Sequence, residues 1–445
     1  MLTDKANLRE YGRDWTRYLE PKPAAIVFPK TTQEVVSLVK WARQPKVALV
    51  PSGGRTGLSG GAAALNGEVV VSCQKMNRIP EFDEFDQTVA VEAGVVTETL
   101  QKFAEEKGMY FPVDFASRGS SHIGGNVATN AGGIKVLRYG LIRQWVAGLE
   151  VVTGTGDVLN LNNALVKNAT GYDLRHLMIG SEGTLGLITK VTLNLTRPTA
   201  QPLLFVFGVQ DLDAVMKIYH AFKKELPILA FEMFTDLALK SVLHHHTDLK
   251  QPFGERTPYY VLAEIEATGE TVEARALELF ESGVEQGWIL DGIQAQSPQQ
   301  AKDLWRLRED ISEATSPFTP YKNDISVRVS KVPEFLQEMD GILKKEYPHF
   351  EAVWFGHIGD GNLHINILKP KDMPTADFLK ECKRVDEKMF AMIERMQGSV
   401  SAEHGVGLTK KPYLAHTRSA VEIGFMKQIK KVFDPDTILN PGKIF

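Results

Sequence analysis

The sequence predicts an α+β protein of two or three domains. Three observations point there. The chain has 445 residues, more than a single hydrophobic core organises. Up to about residue 200, short β-rich runs alternate with helix-patterned stretches. From about 203 to 350 the texture changes to strand–helix–strand units, which suggest an antiparallel sheet with helices on one face.

Taken in order, Ala24 to Pro29 reads as a strand and Thr32 to Trp41 as a helix, with apolar residues at helical spacing and Thr32 as its cap. Val47 to Pro51 is the next strand and opens into a glycine-dense loop. Glu150 to Leu159 reads as a hairpin whose Gly154-Thr155-Gly156 is turn chemistry, since the third glycine of a dinucleotide fingerprint is missing. In the second part Pro202 to Phe207, Ile228 to Met233 and Tyr259 to Ile265 are strands, and Leu212 to Lys223 and Val272 to Gln286 are helices. The last forty or so residues return to helix and finish on Asn440-Pro441-Gly442-Lys443.

Composition excludes several classes of function. Charged residues make up 24% and the net charge is only −4, without a long basic run, so nucleic acid is not an expected partner. No window approaches the roughly 18 apolar residues of a transmembrane helix, and Met1-Leu2-Thr3-Asp4-Lys5 is no apolar signal region, so a cytoplasmic protein is expected. The two cysteines, Cys73 and Cys382, lack metal-site or cluster spacing.

Three segments are rich in glycine and hydroxyls: Pro51 to Gly61, Ser117 to Gly133 and Gly180 to Gly186. Such runs let backbone N–H groups approach an anion closely. The first lacks the Gly-Lys-Ser/Thr of a nucleotide P-loop. Three of them in one domain point to a long ligand held largely by backbone, for which a flavin dinucleotide fits better than a mononucleotide; three unrelated turns are the plain alternative.

His357-Ile358-Gly359-Asp360-Gly361-Asn362-Leu363-His364-Ile365-Asn366 reads as strand, turn, strand. With Gly359 to Asn362 as the loop, His357 falls directly opposite His364, and Asn366 shares their face. A carboxylate from Glu403 would complete a two-histidine, one-carboxylate metal set with an open position. The adjacent His404 is then a candidate acid/base. The plain alternative is a histidine pair that packs or hydrogen-bonds. The His244-His245-His246 run, with no carboxylate pattern near it in sequence, reads as solvated surface.

Pro51-Ser52-Gly53-Gly54-Arg55-Thr56-Gly57, the run from His122 to Gly133, Gly171-Tyr172-Asp173-Leu174, Gly180 to Gly186, the His357 hairpin, Ser401-Ala402-Glu403-His404-Gly405 and Asn440 to Lys443 together resemble the FAD-linked D-2-hydroxyacid dehydrogenases. These belong to the vanillyl-alcohol oxidase/p-cresol methylhydroxylase superfamily. The resemblance implies an FAD-binding domain of two α/β subdomains over 1–200, a substrate-binding cap with an antiparallel sheet over 201–400, and a C-terminal helical segment over 401–445 returning to the flavin. It places the pyrophosphate on the loop Ser52, Gly53, Gly54, Arg55, Thr56 and Gly57, with Pro51 also at the cofactor. The rest of FAD would lie by Ser120, Gly124, Gly125, Asn126, Thr129, Asn130, Gly133, Glu182, Gly183, Ile188 and Asn440.

By the same resemblance His357, His364 and Glu403 match the ligands of a divalent metal, usually zinc, and His404 matches the catalytic base. Arg308, Ser312 and Lys322 match a carboxylate-binding trio, and Asn366 would help hold substrate. Arg308 and Ser312 stand four apart on a helix-patterned stretch, and arginine grips a carboxylate bidentately. Serine replaces the usual threonine, and the spacing to Lys322 is slightly shorter than usual. No histidine occupies the first glycine loop, so non-covalent FAD is expected, with His122 as the residual attachment candidate. The implied reaction oxidises a D-2-hydroxyacid, D-2-hydroxyglutarate first among them and D-lactate or glycolate next. An electron-transfer flavoprotein or quinone is the expected acceptor, and a homodimer the expected assembly. A flavin-free zinc hydrolase and a non-catalytic flavin-binding subunit are the readings from other classes.

Overall fold

The computed structural model describes residues 1–16, 18–199 and 202–445. Its contacts divide the chain into two compact units: Met1–Gly133, Tyr139–Pro198 and Glu403–Phe445 form the first, Ile134–Arg138 and Thr199–Ala402 the second. The boundary expected between residues 200 and 201 lies outside the described residues.

The first unit holds two sheets. One is parallel, with β1 (Ala25–Val27), β2 (Leu49–Ser52) and β3 (Val69–Ser72) in the order β1-β3-β2. The other is antiparallel, with β4 (Glu81–Asp83), β5 (Thr88–Glu92), β6 (Val146–Thr153), β7 (Val158–Leu161) and β8 (Gly186–Asn194) in the order β4-β5-β8-β6-β7. The helix Thr32–Arg43 forms because Val35, Val36, Val39 and Ala42 recur on one face, and all four are buried. Each buried valine contributes roughly 1.5–3 kcal/mol. Its cap is Thr31, whose side chain accepts from the Glu34 N–H, and not the expected Thr32; the Thr32 hydroxyl instead reaches Glu150 at 2.5 Å.

The C-terminal segment is stitched into the first unit. The Leu49 N–H donates to the Ile438 carbonyl and the Asn440 N–H to the Leu49 carbonyl, both at 2.7 Å, alongside β2. Buried Lys430 donates to Asp434 and to the carbonyls of Thr184 and Leu439, while Asp434 accepts from the Ile438 and Leu439 N–H groups. Every donor of the ammonium is thereby used, which is how a buried charge is tolerated.

The second unit is a seven-stranded antiparallel sheet of β9 (Pro202–Val209), β10 (Ile228–Thr235), β11 (Tyr259–Glu266), β12 (Asp291–Gln294), β13 (Tyr321–Ser326), β14 (Ala352–His357) and β15 (Asn362–Ile367), in the order β12-β9-β11-β10-β14-β15-β13. Helices cover both faces, not one. On β9, Leu204 and Val206 pack with Leu239 and Val242 of the helix Asp236–His245, whereas Phe205 and Phe207 meet Phe222 and Phe280 of the helices Leu212–Glu225 and Glu270–Glu285. Alternate strand residues point to opposite faces, so a run that is apolar at every position requires cover on both. Segment Ile134–Arg138 also belongs to this unit: Leu137 packs on Gly359, and Lys135 and Arg138 pair with Glu264 and Glu266 at 3.5 and 3.2 Å. Among the described residues no helix is long and apolar enough to cross a membrane.

Candidate functional site

Within the first unit the three glycine segments converge. A Cβ on Gly54 would lie 1.9 Å from the Ser120 carbonyl oxygen, and one on Gly183, at φ +71°, 2.3 Å from the Pro51 ring. Only glycine permits these approaches. The Gly180 and Glu182 N–H groups donate to the Val127 and Ala128 carbonyls, and Asn440 Nδ2 donates to the Gly61 and Glu182 carbonyls. Asn126, in the helix Ile123–Thr129, is tied by Nδ2 to Thr97, and the Thr129 hydroxyl returns to the Gly125 carbonyl. Asn130 closes that helix at φ +54°, and Gly133 is held in a conformation, φ +137°, that favours glycine. Gly124 stacks on Ala93, and Ile188 is buried in β8. Buried polar atoms without a protein partner cluster on these same segments: Ser52 Oγ, His122 Nδ1, Asn130 Oδ1 and Asn440 Oδ1. Buried polar groups ordinarily find partners, so this cradle fits a polar ligand such as a dinucleotide.

Arg55 is turned from the loop, its guanidinium 4.3 Å over the Tyr11 ring and 3.4 Å from Glu10. Burial, then the Arg55 charge, hold the His122 imidazole well down, at about 4.

Glu182 has a second role that the sequence does not announce. Its two carboxylate oxygens accept the Val406 and Gly407 N–H groups at 2.7 and 2.8 Å. The Ser59 hydroxyl donates to the His404 carbonyl at 2.9 Å, and the Ser59 carbonyl accepts from Leu408 and Thr409. The loop that carries Glu403 and His404 is thus held on both sides. Gly405 and Gly407, at φ +76° and +49°, let it pass, because Cβ atoms there would strike Glu182 and the Ser59 carbonyl. Burial raises the Glu182 carboxyl to about 7, although the two N–H donors and Lys443 oppose the rise.

In the second unit the hairpin register differs from expectation. His357 pairs with Asn362 and Phe355 with His364, because the turn is Ile358 to Gly361 and not Gly359 to Asn362. The Asp360 carboxylate accepts the Asn362 N–H at 3.0 Å, and Gly361 takes φ +84°. The offset is two residues, so each side chain keeps its face. The histidines are diagonal neighbours with ring centroids 5.4 Å apart.

Around them stand two carboxylates that sequence reasoning missed. Glu232 Oε1 lies 2.6 Å from His357 Nδ1, and Asp324 Oδ1 lies 3.5 Å from His364 Nδ1. The signal was a lone acid inside an apolar strand, Phe231-Glu232-Met233. Both Nδ1 sides face carboxylates, an orientation also usual for metal-binding histidines. Burial would raise the Glu232 carboxyl, but His357 and Arg308 outweigh it and hold it below the ordinary range.

Arg308 Nη2 reaches Glu232 Oε2 at 2.7 Å, and its guanidinium lies 4.8 Å over the Phe355 ring. The helix Pro298–Glu309 ends at Asp310, and a separate helix Ile311–Thr315 carries half-buried Ser312. Arg308 and Ser312 thus stand on two successive helices joined at Asp310, whose N–H and carbonyl still bond to Arg306 and Ala314 at helical spacing. Lys322 on β13 pairs across the ladder with Asn366 on β15, as Asp324 does with His364. Arg308 Nε and Asn366 Nδ2 are buried donors without a protein hydrogen-bond partner. At the far helix end, Asp310 and Glu313 approach His246 and His245, at 3.4 and 3.8 Å, while Asp248, two residues beyond the run, pairs with Arg306.

Comparison with known proteins fits both units. Residues 23–162 match the family described as FAD binding domain, and 198–444 the family of FAD linked oxidases, C-terminal domain. The chain is 57% identical over its whole length to a D-2-hydroxyglutarate dehydrogenase of Stutzerimonas stutzeri, covering 96% of it. It is 36% identical to the mitochondrial D-2-hydroxyglutarate dehydrogenase of Arabidopsis thaliana, covering 79% of that protein. With a putative mitochondrial D-lactate dehydrogenase of Schizosaccharomyces pombe the identity is 35%, over 99% of the chain and 85% of the relative. Among solved structures, p-cresol methylhydroxylase with substrate bound shares the fold, with TM-score 0.77, 16% identity, and coverage of 100% of this chain and 93% of that one. A flavin-free hydrolase is thereby set aside. The chain belongs to the FAD-linked D-2-hydroxyacid dehydrogenases.

Proposed function

We propose that this FAD-dependent dehydrogenase oxidises D-2-hydroxyglutarate to 2-oxoglutarate with the help of a divalent cation, zinc first, held by His357, His364 and Glu403. One observation carries the reading: a single sheet face presents two imidazoles backed by carboxylates beside Arg308 Nε and Asn366 Nδ2, buried donors awaiting an acceptor. Glu403 follows Ala402, whose N–H donates to the Asp324 carbonyl on that sheet. The relatives named D-2-hydroxyglutarate dehydrogenase support the substrate.

When bound, FAD would supply a two-electron acceptor for the hydride and the cation positive charge beside the substrate hydroxyl. The chain's residues do the rest. Arg308, Ser312 and Lys322 bind the distal carboxylate and fix which face of Cα is presented. Asn366 holds the hydroxyacid end. His404, on the loop pinned by Glu182 and Ser59, accepts the hydroxyl proton. Pro51 to Gly57, Ser120, Asn126 and Asn440 are assigned to the cofactor. The reduced protein passes electrons to an electron-transfer flavoprotein or a quinone.

The test is an anaerobic visible spectrum of metal-replete protein before and after D-2-hydroxyglutarate, with D-lactate in parallel. Bleaching by the hydroxyglutarate that is lost after chelation and in Lys322→Ala supports the reading. Equal bleaching by D-lactate, indifferent to Lys322→Ala, moves the substrate to a monocarboxylate, for which the Schizosaccharomyces relative speaks. Bleaching that survives metal removal overturns the cation's part.

A further inference from the structure

Glu232 is a carboxylate that the proposed reaction does not use, yet it is among the most enclosed charges in the chain, 1% exposed at the centre of the seven-stranded sheet. An ionised carboxyl there is costly unless both oxygens are engaged. Each oxygen meets a different group: Oε1 hydrogen-bonds with His357 Nδ1 at 2.6 Å, and Oε2 forms an ion pair with Arg308 Nη2 at 2.7 Å, close in distance but without hydrogen-bond alignment. The two partners are the ones assigned above to metal binding and to the substrate's distal carboxylate. We propose that Glu232 is the positioning residue that joins these two subsites, orienting the His357 ring for the cation with one oxygen and fixing the Arg308 guanidinium with the other. The assignment rests on the metal reading of the preceding subsection.

The chemistry follows from the geometry. A proton on His357 Nδ1, donated to Glu232, leaves the lone pair on Nε2 and strengthens it as a donor to a cation. Arg308 neutralises the carboxylate from the other side, so the buried triad of His357, Glu232 and Arg308 carries no net charge when His357 is neutral. The Arg308 guanidinium also lies 4.8 Å over the Phe355 ring, and Phe355 in turn meets His364 in a tilted pair at 4.9 Å. Arg308 Nε stays available. A glutamine at 232 would keep the shape and lose the charge; an aspartate would keep the charge but be one methylene too short to span both partners.

The experiment measures zinc affinity, by competition with a chromogenic chelator, on FAD-loaded parent, Glu232→Gln, Glu232→Asp and Arg308→Met proteins. Flavin absorbance reports that each has folded, and the visible spectrum of the cobalt-substituted forms reports the ligand field. Both Glu232 variants should bind zinc about 10–100-fold more weakly, the usual cost of losing such an outer partner, with an altered cobalt spectrum. Arg308→Met should keep zinc, because His357 retains its carboxylate, while losing affinity for D-2-hydroxyglutarate; a general loss of structure would lower both. If Glu232→Gln does not fold, the double variant with Arg308→Met removes the stranded cation, and it too should bind zinc weakly. A parent that binds zinc alongside Glu232 variants within twofold of it overturns the assignment alone. A parent that takes up no divalent cation overturns the metal reading, and the assignment with it.

Discussion

Replacing Glu182 by glutamine takes one acceptor from the loop that carries His404. The parent carboxylate receives the Val406 and Gly407 N–H groups on separate oxygens at 2.7 and 2.8 Å. Glutamine offers one oxygen, so one N–H faces an NH₂ group and loses its partner. A hydrogen bond to a charged group contributes about 1.5–3 kcal/mol, so local opening becomes about 10- to 150-fold easier. The assay is amide hydrogen exchange of the Gly405 to Leu408 stretch at pH 8, where the parent carboxyl is ionised. The parent has its own internal control. Its carboxyl, ordinarily at 4.5, titrates at about 7 because burial penalises the charge. The proton is therefore bound more tightly in the folded chain, and this group's contribution to global stability, about 3 kcal/mol, is fully present below 4.5 and lost as pH rises through 7. The loop runs the other way: its double clamp needs the ionised form, so parent protection, corrected for intrinsic rates, should fall toward that of Glu182→Gln as pH drops from 8 to 5.5. Equal protection of parent and variant at pH 8, or no change of parent protection with pH, would refute the clamp.

Two further outcomes follow from buried charge. His122 is held neutral, its imidazole moved from 6.5 to about 4 by burial and Arg55, so its contribution of about 3 kcal/mol is present above 6.5 and lost as pH falls through 4; melting of His122→Phe should decline less than the parent's between pH 6.5 and 4. Lys430→Met strands the Asp434 carboxylate, which is 0% exposed, and should cost about 3–5 kcal/mol, read as a lowered denaturation midpoint and partly restored by adding Asp434→Asn.

Much of this was legible in the residues, and the misses have physical causes. The His357 hairpin announces itself because apolar runs flank turn chemistry. Its register is decided by Asp360 capping the Asn362 N–H and by Gly361, whose Cβ would sit 2.0 Å from the carbonyl of Val327, 34 residues earlier in sequence. The convergence of the glycine segments could be inferred from their kind, but the clamp of Glu182 on Val406 and Gly407 joins residues more than 220 apart. Glu232 was visible as an acid in an apolar strand, whereas Asp324 sits in the polar run Lys322-Asn323-Asp324, and only the order of β10, β14, β15 and β13 gives them their histidines. Helices on both faces of the sheet follow from strands apolar at every position, where strand–helix–strand order alone suggests one-sided cover.

The first unit is interrupted by about two hundred residues of the second, and the stretch from Glu403 onward closes it. During synthesis the parallel sheet would leave the ribosome with the edge of β2 bare at Leu49, waiting for Ile438 and Asn440. Most of the second unit, continuous from Thr199 to Ala402, emerges in the meantime and can assemble around its own sheet. The nucleotide cradle therefore gains Asn440, and the Thr184 carbonyl its Lys430 donor, only after the second unit has been made. Loss of a few C-terminal residues would act on the earliest-made strands, and a nascent chain stalled after the second unit would carry an open cofactor pocket.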